Sequence, residues 1–263
     1  MTVWQGIVLG LVQGLTEFLP VSSSGHLAVG RAVLGLRADD EVFVFVAVGL
    51  HIATLGSVLV VYGRRLWEIT AGVFRGRRAD LQYAAFLVIG TIPGAVLGVL
   101  FHERFEEAFG SLRFIGGAFI VTGFILWSTR WSRPREGDLT WGDALATGLA
   151  QAVAILPGIS RSGSTVSAAL WRGLDPTEAA EFSFLLAVII IAGSGVFEAR
   201  KAGVSVAAVG GLPLAVSVVA AFVSGIWAIR WLVALLRRGR FHAFAPYCWG
   251  MGLLTIVYAL WRG

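Results

Sequence analysis

Gln13-Gly-Leu-Thr-Glu17-Phe-Leu-Pro20-Val-Ser22-Ser23-Ser24-Gly25-His26 interrupts an apolar stretch that begins at Val3. The stretch from Val3 to Phe18 is short for a membrane span, because a hydrocarbon core of ~30 Å needs about 20 residues of helix. Pro20 lacks a backbone donor and ends the helix, while the serines and Gly25 suit a turn into a second short helix. Lipid tolerates such a break at membrane depth only where protein or water surrounds it, so the stretch reads as a re-entrant hairpin. Trp141 to Leu156 repeats the design, broken by Pro157-Gly-Ile-Ser160-Arg161-Ser162-Gly-Ser-Thr165.

The two broken stretches resemble each other. Gly10-Leu-Val-Gln13 matches Gly148-Leu-Ala-Gln151, and Ser22-Ser-Ser-Gly25 matches Ser160-Arg-Ser-Gly163, both at an offset of 138 positions (151 − 13 and 160 − 22). This pattern predicts one membrane domain, 1–263, with internal repeats over about 1–131 and 140–263. Each repeat would hold a hairpin and three spans, and an odd number of crossings inverts the second half. Hairpins entering from opposite faces would then meet near the midplane, as broken helices do in inverted-repeat transporters.

Composition agrees. Hydrophobic residues make up 57% of the chain and charged ones 14%, with a mean hydropathy of +0.79, which excludes an ordinary soluble domain. Uncharged runs place six spans at Val42 to Tyr62, Ala84 to Phe101, Phe114 to Thr129, Phe182 to Phe197, Gly211 to Ile229 and Phe244 to Trp261. The predicted fold class is therefore an all-α integral membrane protein with six transmembrane helices plus two re-entrant helical hairpins in an inverted-topology repeat. The amino terminus shows neither a basic region nor a small-residue cleavage site, so a cleaved signal peptide is not expected. Cys248 is the only cysteine, which excludes an internal disulfide and a cysteine-based metal site; packing is its expected role.

The net charge of +5 comes almost wholly from arginine in short connections, a pattern of membrane topology rather than nucleic-acid binding. On this topology, one side carries Arg64, Arg65, Arg75, Arg77, Arg78, Arg130, Arg133, Arg135, Arg172, Arg230, Arg237, Arg238 and Arg240. The other carries Arg31, Arg37, Arg104, Arg113, Arg200, Lys201 and Arg262. The positive-inside rule makes the first side cytoplasmic, so that both termini and the mouth of the first hairpin face outward. Trp127, Trp131 and Trp261, near span ends, read as interface anchors.

Gln13 and Glu17, four residues apart, share one helical face. An ionisable group at membrane depth costs ~2.5–3.5 kcal/mol and marks a functional site by default; a carboxylate snorkelling to the interface is the structural alternative. A carboxylate beside an amide oxygen also suits a hard cation such as Mg²⁺ or Ca²⁺. Ser22, Ser23, Ser24 and His26 read equally as a helix cap with spare hydroxyls or as the parts of an activated nucleophile or an acid–base pair. Arg161, flanked by glycines and opening a helix, offers forked donors matched to phosphate, with a structural cap on the hairpin as its alternative. His51, in the first full span, reads as lining the cavity or, more simply, as a histidine satisfied by a neighbouring helix. His102 and His242 read as interfacial, and Glu181 and Ser183 as support for the second hairpin or, for Glu181, as a charge favoured at a helix start.

Gln13 through His26 and Pro157 through Thr165, together with Gly90-Thr-Ile-Pro-Gly94 and Glu181-Phe-Ser-Phe-Leu-Leu-Ala187, resemble the undecaprenyl-diphosphate phosphatase, or bacitracin-resistance, family over nearly the whole chain. The resemblance implies a plasma-membrane enzyme that removes the terminal phosphate of undecaprenyl diphosphate and recycles the lipid carrier for cell-wall polymers. It also implies a homodimer, a divalent cation and a site open to the extracytoplasmic side. By position, Glu17 with Gln13 would hold the metal, Arg161 would clamp the diphosphate, His26 would act as acid and base, and Ser23 would be the nucleophile. Ser22, Ser24, Ser160, Ser162 and Thr165 would line the phosphate cradle. Two positions depart from the family: Gln13 stands where many relatives have a carboxylate, and Tyr247-Cys248 where relatives often have Tyr-Arg. The competing class is a polyprenyl-phosphate flippase or transporter, since broken helices around a midplane anion site serve transport as well.

Overall fold

The computed structural model describes residues 1–35, 41–201 and 210–262, and the side chains of Arg37, His102, Arg200 and Lys201 lie outside the described residues. Every regular element among the described residues is helical. The first half contains α1 (Val3–Phe18), α2 (Ser23–Val33), α3 (Glu41–Phe74), α4 (Arg78–Leu100), the short α5 (His102–Phe109) and α6 (Leu112–Ser128). The second contains α7 (Trp141–Val153), α8 (Arg161–Trp171), α9 (Pro176–Lys201), α10 (Gly211–Arg237) and α11 (Ala245–Arg262). Among the described residues, six helices are long and apolar enough to cross a membrane, namely α3, α4, α6, α9, α10 and α11.

These are the six expected spans with shifted ends. The largest differences are α3, which runs on to Phe74, and α10, which runs on to Arg237. Uncharged runs stop at the first arginine, but helices need not, because an arginine carries its charge out of the apolar layer on its own aliphatic stem.

The two hairpins are alike beyond the motifs that suggested them. Thr2 opens α1 with a capping box closed by Gln5, and Thr140 opens α7 with one closed by Asp143, again 138 positions apart (140 − 2). Packing between the halves is reciprocal: α1 lies along α10, α7 lies along α4, α3 packs on α9, and α6 packs on α11. Each hairpin thus docks on the second long span of the other half, a pairing that fits an inverted repeat.

Small residues make this docking possible. A Cβ on Gly10 would stand 2.3 Å from the Ser217 carbonyl oxygen of α10, and one on Gly148 would stand 2.5 Å from the Gly90 oxygen of α4. Between helices in lipid, where no hydrophobic drive operates, such backbone approach is a main source of association. Gly148→Val is expected to destabilise the protein by about 2 kcal/mol through overpacking against backbone, read as a lower midpoint in denaturation from detergent. An unchanged midpoint would count against tight docking of α7 on α4.

The polar ends of the helices sort into two groups. Arg65 pairs with Glu181 at 2.8 Å, joining α3 to the start of α9, and the Arg130 guanidinium lies 4.6 Å from the Trp127 ring centre, beside His242. At the same end, Asp143, fully buried, accepts hydrogen bonds from Arg135 and Arg172, and Arg135 Nη1 also donates to the Arg172 carbonyl at 2.8 Å. These bonds tie the two legs of the second hairpin together at its base. The first hairpin has its base at the opposite end, where Arg262 and Tyr258 of α11 donate to the Ala32 carbonyl at 3.2 and 3.3 Å.

Burial alone would raise the pKa of Asp143, but hydrogen bonds from Arg135, Thr140 and Arg172 outweigh it and hold the carboxyl well below the usual carboxylate range. A folded-state value below the unfolded one stabilises above the ordinary carboxylate pKa and is lost as pH falls toward the folded value. Thermal stability is therefore expected to decline below about pH 4, and Asp143→Asn should lower stability at neutral pH while blunting that acid-side decline. A melting series from pH 7 to pH 3 on both proteins checks this; parallel curves would contradict it.

Candidate active site

Each hairpin tip is shaped by one unusual backbone position. In the first, Ser22 has φ of 68°, the only positive φ on a non-glycine residue among those described. That conformation costs of order 1–3 kcal/mol. It directs the Ser22 carbonyl back at α2, where it accepts from the backbone nitrogen and from Nδ1 of His26 at 3.2 and 2.8 Å. In the second, Gly158 has φ of 93°, and a Cβ there would stand 2.6 Å from the Ile115 oxygen. Thr122 of α6 pins this turn by donating to the Gly158 carbonyl at 2.9 Å and accepting from the Ser160 nitrogen at 3.1 Å.

Beyond the turns the tips converge. Ser22 and Ser160 cap α2 and α8, accepting from the backbone nitrogens of Gly25 and Gly163, and each hydroxyl lies 3.3 Å from the one two residues on, Ser24 or Ser162. Two helix N-termini, each a positive dipole end, are thus brought toward one centre.

That centre is Glu17. Its Oε1 accepts from Arg161 Nη2, and its Oε2 accepts from Ser23 Oγ at 2.6 Å and from Gln13 Nε2 at 2.9 Å. The tips are also joined through Ser162, which donates to the Leu19 carbonyl at 3.2 Å. His51 of α3 is fixed by Nδ1 on the Ala47 carbonyl at 2.7 Å, which leaves its Nε2 3.9 Å from Glu17 Oε2. Gln13 and Glu17 are buried. Their charge-bearing partner Arg161 uses one arm only: its Nη1 is buried without a hydrogen-bond partner, and so is Gln13 Oε1.

Sequence and structure differ in instructive ways. Gln13, Glu17, Ser23 and Arg161 come together as expected. Ser22 and Ser160 serve as helix caps, Ser162 joins the tips, and Thr165 meets Ser183 of α9 at 2.6 Å. His26 does not pair with Ser23; its Nε2 meets the hydroxyl of Tyr247 at 2.8 Å. His51 turns its Nε2 toward the Glu17 carboxylate at 3.9 Å, which favours the cavity-lining reading of the two. Tyr247 belongs to neither motif, and its one signal in the sequence was that it keeps the tyrosine of the Tyr-Arg pair that relatives often have. Glu181 pairs with Arg65 and not with the Arg161 hairpin, whereas Ser183 does support that hairpin. Cys248 is buried with its sulfur 3.7 Å from the Pro20 carbonyl, a packing role as expected.

The donor set suits a hard cation in one respect and limits it in another. Gln13 Oε1 is a buried, unpartnered oxygen beside a carboxylate, which matches the oxygen preference of Mg²⁺ and Ca²⁺. Among the described residues, no group of three or more His, Cys, Asp or Glu could enclose a metal. Most of the coordination sphere would have to come from water or a bound anion, as is common for Mg²⁺.

Six membrane-length helices around a buried carboxylate, guanidinium and hydroxyl centre make this an integral membrane protein with a site formed by two converging half-helix pairs. A family model described as Bacitracin resistance protein BacA matches residues 6–254, and the chain belongs to that family. Among its relatives are proteins named undecaprenyl-diphosphatase from Christiangramia forsetii, 37% identical over 98% of this chain and 99% of its own, and from Desulfatibacillum aliphaticivorans, 40% identical over 95% and 96%. A third of that name, from Acaryochloris marina, is 39% identical over 98% of each chain.

Proposed function

We propose that this protein hydrolyses undecaprenyl diphosphate to undecaprenyl phosphate and inorganic phosphate, as the names of its relatives describe. The observation that carries the reading is Arg161, held on Glu17 by Nη2 while Nη1 lies buried and unpartnered. A buried donor left unmade costs about 1–3 kcal/mol, and a phosphate oxygen would satisfy it with a charge-assisted bond.

In this reading Ser23 attacks the terminal phosphorus, and its proton passes to Glu17 Oε2 along the existing 2.6 Å contact. The bridging oxygen departs with the prenyl phosphate. Water then cleaves the Ser23 phosphoester and gives its proton to His26, while Glu17 returns its proton to the departing Ser23 oxygen, which restores the hydroxyl and releases phosphate. Arg161 and the N-termini of α2 and α8 hold the charge of the transferring group, which is the main demand of phosphoryl transfer. Gln13 and Glu17 would hold Mg²⁺ or Ca²⁺, and a bound cation would neutralise part of the diphosphate charge.

The arginine-rich end of the helices, with Arg65, Arg130, Arg135 and Arg172, supports a cytoplasmic assignment, which leaves the first hairpin open to the extracytoplasmic side of the plasma membrane. A homodimer belongs to the same reading. The relatives' names favour hydrolysis over transport by a flippase. Detergent-purified protein should release phosphate from undecaprenyl diphosphate in the presence of Mg²⁺ or Ca²⁺ and lose that activity with EDTA. Lipid transfer across vesicles without any phosphate release would overturn the proposal.

A further inference from the structure

His26 is held at both ring nitrogens. Nδ1 lies 2.8 Å from the Ser22 carbonyl, which can only accept, so Nδ1 carries the proton in the neutral ring. Nε2 is then the basic nitrogen, and its 2.8 Å partner, the Tyr247 hydroxyl, is the donor. The contact joins residues 221 positions apart, from the first hairpin and the last helix. Its surroundings over-determine it: the two rings lie within 6° of parallel, Phe119 of α6 meets the imidazole edge-on at a centroid distance of 5.0 Å, and Cys248 seats the same turn of α11 on the Pro20 carbonyl. His26 is buried, whereas Tyr247 is half exposed, so the tyrosine stands between the imidazole and the surroundings of the bundle.

We propose that Tyr247 is a further catalytic residue for the hydrolysis: its hydroxyl occupies the basic Nε2 of His26, and the proton of the attacking water reaches that nitrogen through the Tyr247 oxygen. In the relay, Nε2 takes the hydroxyl proton as the Tyr247 oxygen takes one from the attacking water, so the tyrosine is regenerated within the step. The proposal rests on the phosphatase reading for its kinetic consequence but not for its contact. Phe119, the other ring against His26, is not titratable, which leaves Tyr247 as the proton-carrying partner at Nε2 in the packing of α6 and α11.

The test is Tyr247→Phe in the full-length protein in detergent, with Tyr258→Phe as control. Tyr258 donates to the Ala32 carbonyl at the far end of the same helix, so its variant reports the loss of a tyrosine hydroxyl away from the site. Phosphate release from undecaprenyl diphosphate should fall about 10²-fold or more in kcat for Tyr247→Phe, within the range for a proton-transfer partner, with KM changed less than about twofold. ¹⁵N-histidine spectra should show the Nε2 resonance of His26 moving toward that of an unbonded ring nitrogen while Nδ1 stays on Ser22. Tyr258→Phe should leave both readouts unchanged. An unchanged kcat for Tyr247→Phe, or a loss of kcat with Nε2 unmoved, would overturn the proposal. A wild-type protein that releases no phosphate but shows the Nε2 shift would retain the contact and overturn the phosphatase reading instead.

Discussion

Arg161→Ala is expected to lower kcat for phosphate release by about 10²–10³-fold, the usual cost of deleting one preorganised donor to a developing anion. Two effects combine in that variant. The substrate loses the unpartnered Nη1 donor, and Glu17 is left buried without the cation that balances it. Stranding one member of a buried pair costs about 3–5 kcal/mol, so instability alone could mimic a catalytic defect. Arg161→Ala combined with Glu17→Gln removes both charges and separates the two: stability should return toward wild type, and activity should not. Arg161→Lys should recover little, because an ammonium on a flexible stem cannot reach Glu17 and a phosphate oxygen with two fixed arms. Full activity in the single alanine variant, with phosphate release followed directly, would remove Arg161 from the reaction.

The sequence carried the broken helices, the repeat and the charged centre because each of these breaks a rule of apolar segments. Glu17 and Arg161 are costly at membrane depth, and Pro20 and Pro157 interrupt apolar stretches that would otherwise continue, so all four stand out without any structure. Reciprocal docking was not legible. Gly10 and Gly148 fall in matching stretches, but a glycine in a sequence says only that backbone approach is possible and not which helix approaches. The same limit explains Ser160, Ser162 and Thr165. Their hydroxyls fit a phosphate cradle by type, yet capping, the bond to the Leu19 carbonyl and the bond to Ser183 use the same chemistry. Tyr247 was least visible, because its role depends on a contact with a residue more than two hundred positions away. Local pattern reports cost and periodicity; partner choice between distant segments is set by packing.

Glu17→Gln tests the centre itself. The substitution keeps the shape and a hydrogen-bonding group, so it is gentler on folding than truncation, but it removes the charge that balances Arg161 and the base that receives the Ser23 proton. Loss of a positioned proton acceptor alone costs about 10²–10⁴-fold, and a fall in kcat of that order is the expected result. The same carboxylate with Gln13 forms the oxygen pair offered to a divalent cation, so the residual activity should need a higher Mg²⁺ or Ca²⁺ concentration for half-maximal rate. Gln13→Glu provides the opposite perturbation: a second carboxylate four residues from Glu17 should lower that concentration, because a hard cation binds more tightly as ligand charge rises. If Glu17→Gln lost rate with no change in cation dependence, and Gln13→Glu also left it unchanged, Glu17 would act on Ser23 and Arg161 alone, and the cation would be held by the substrate rather than by this pair.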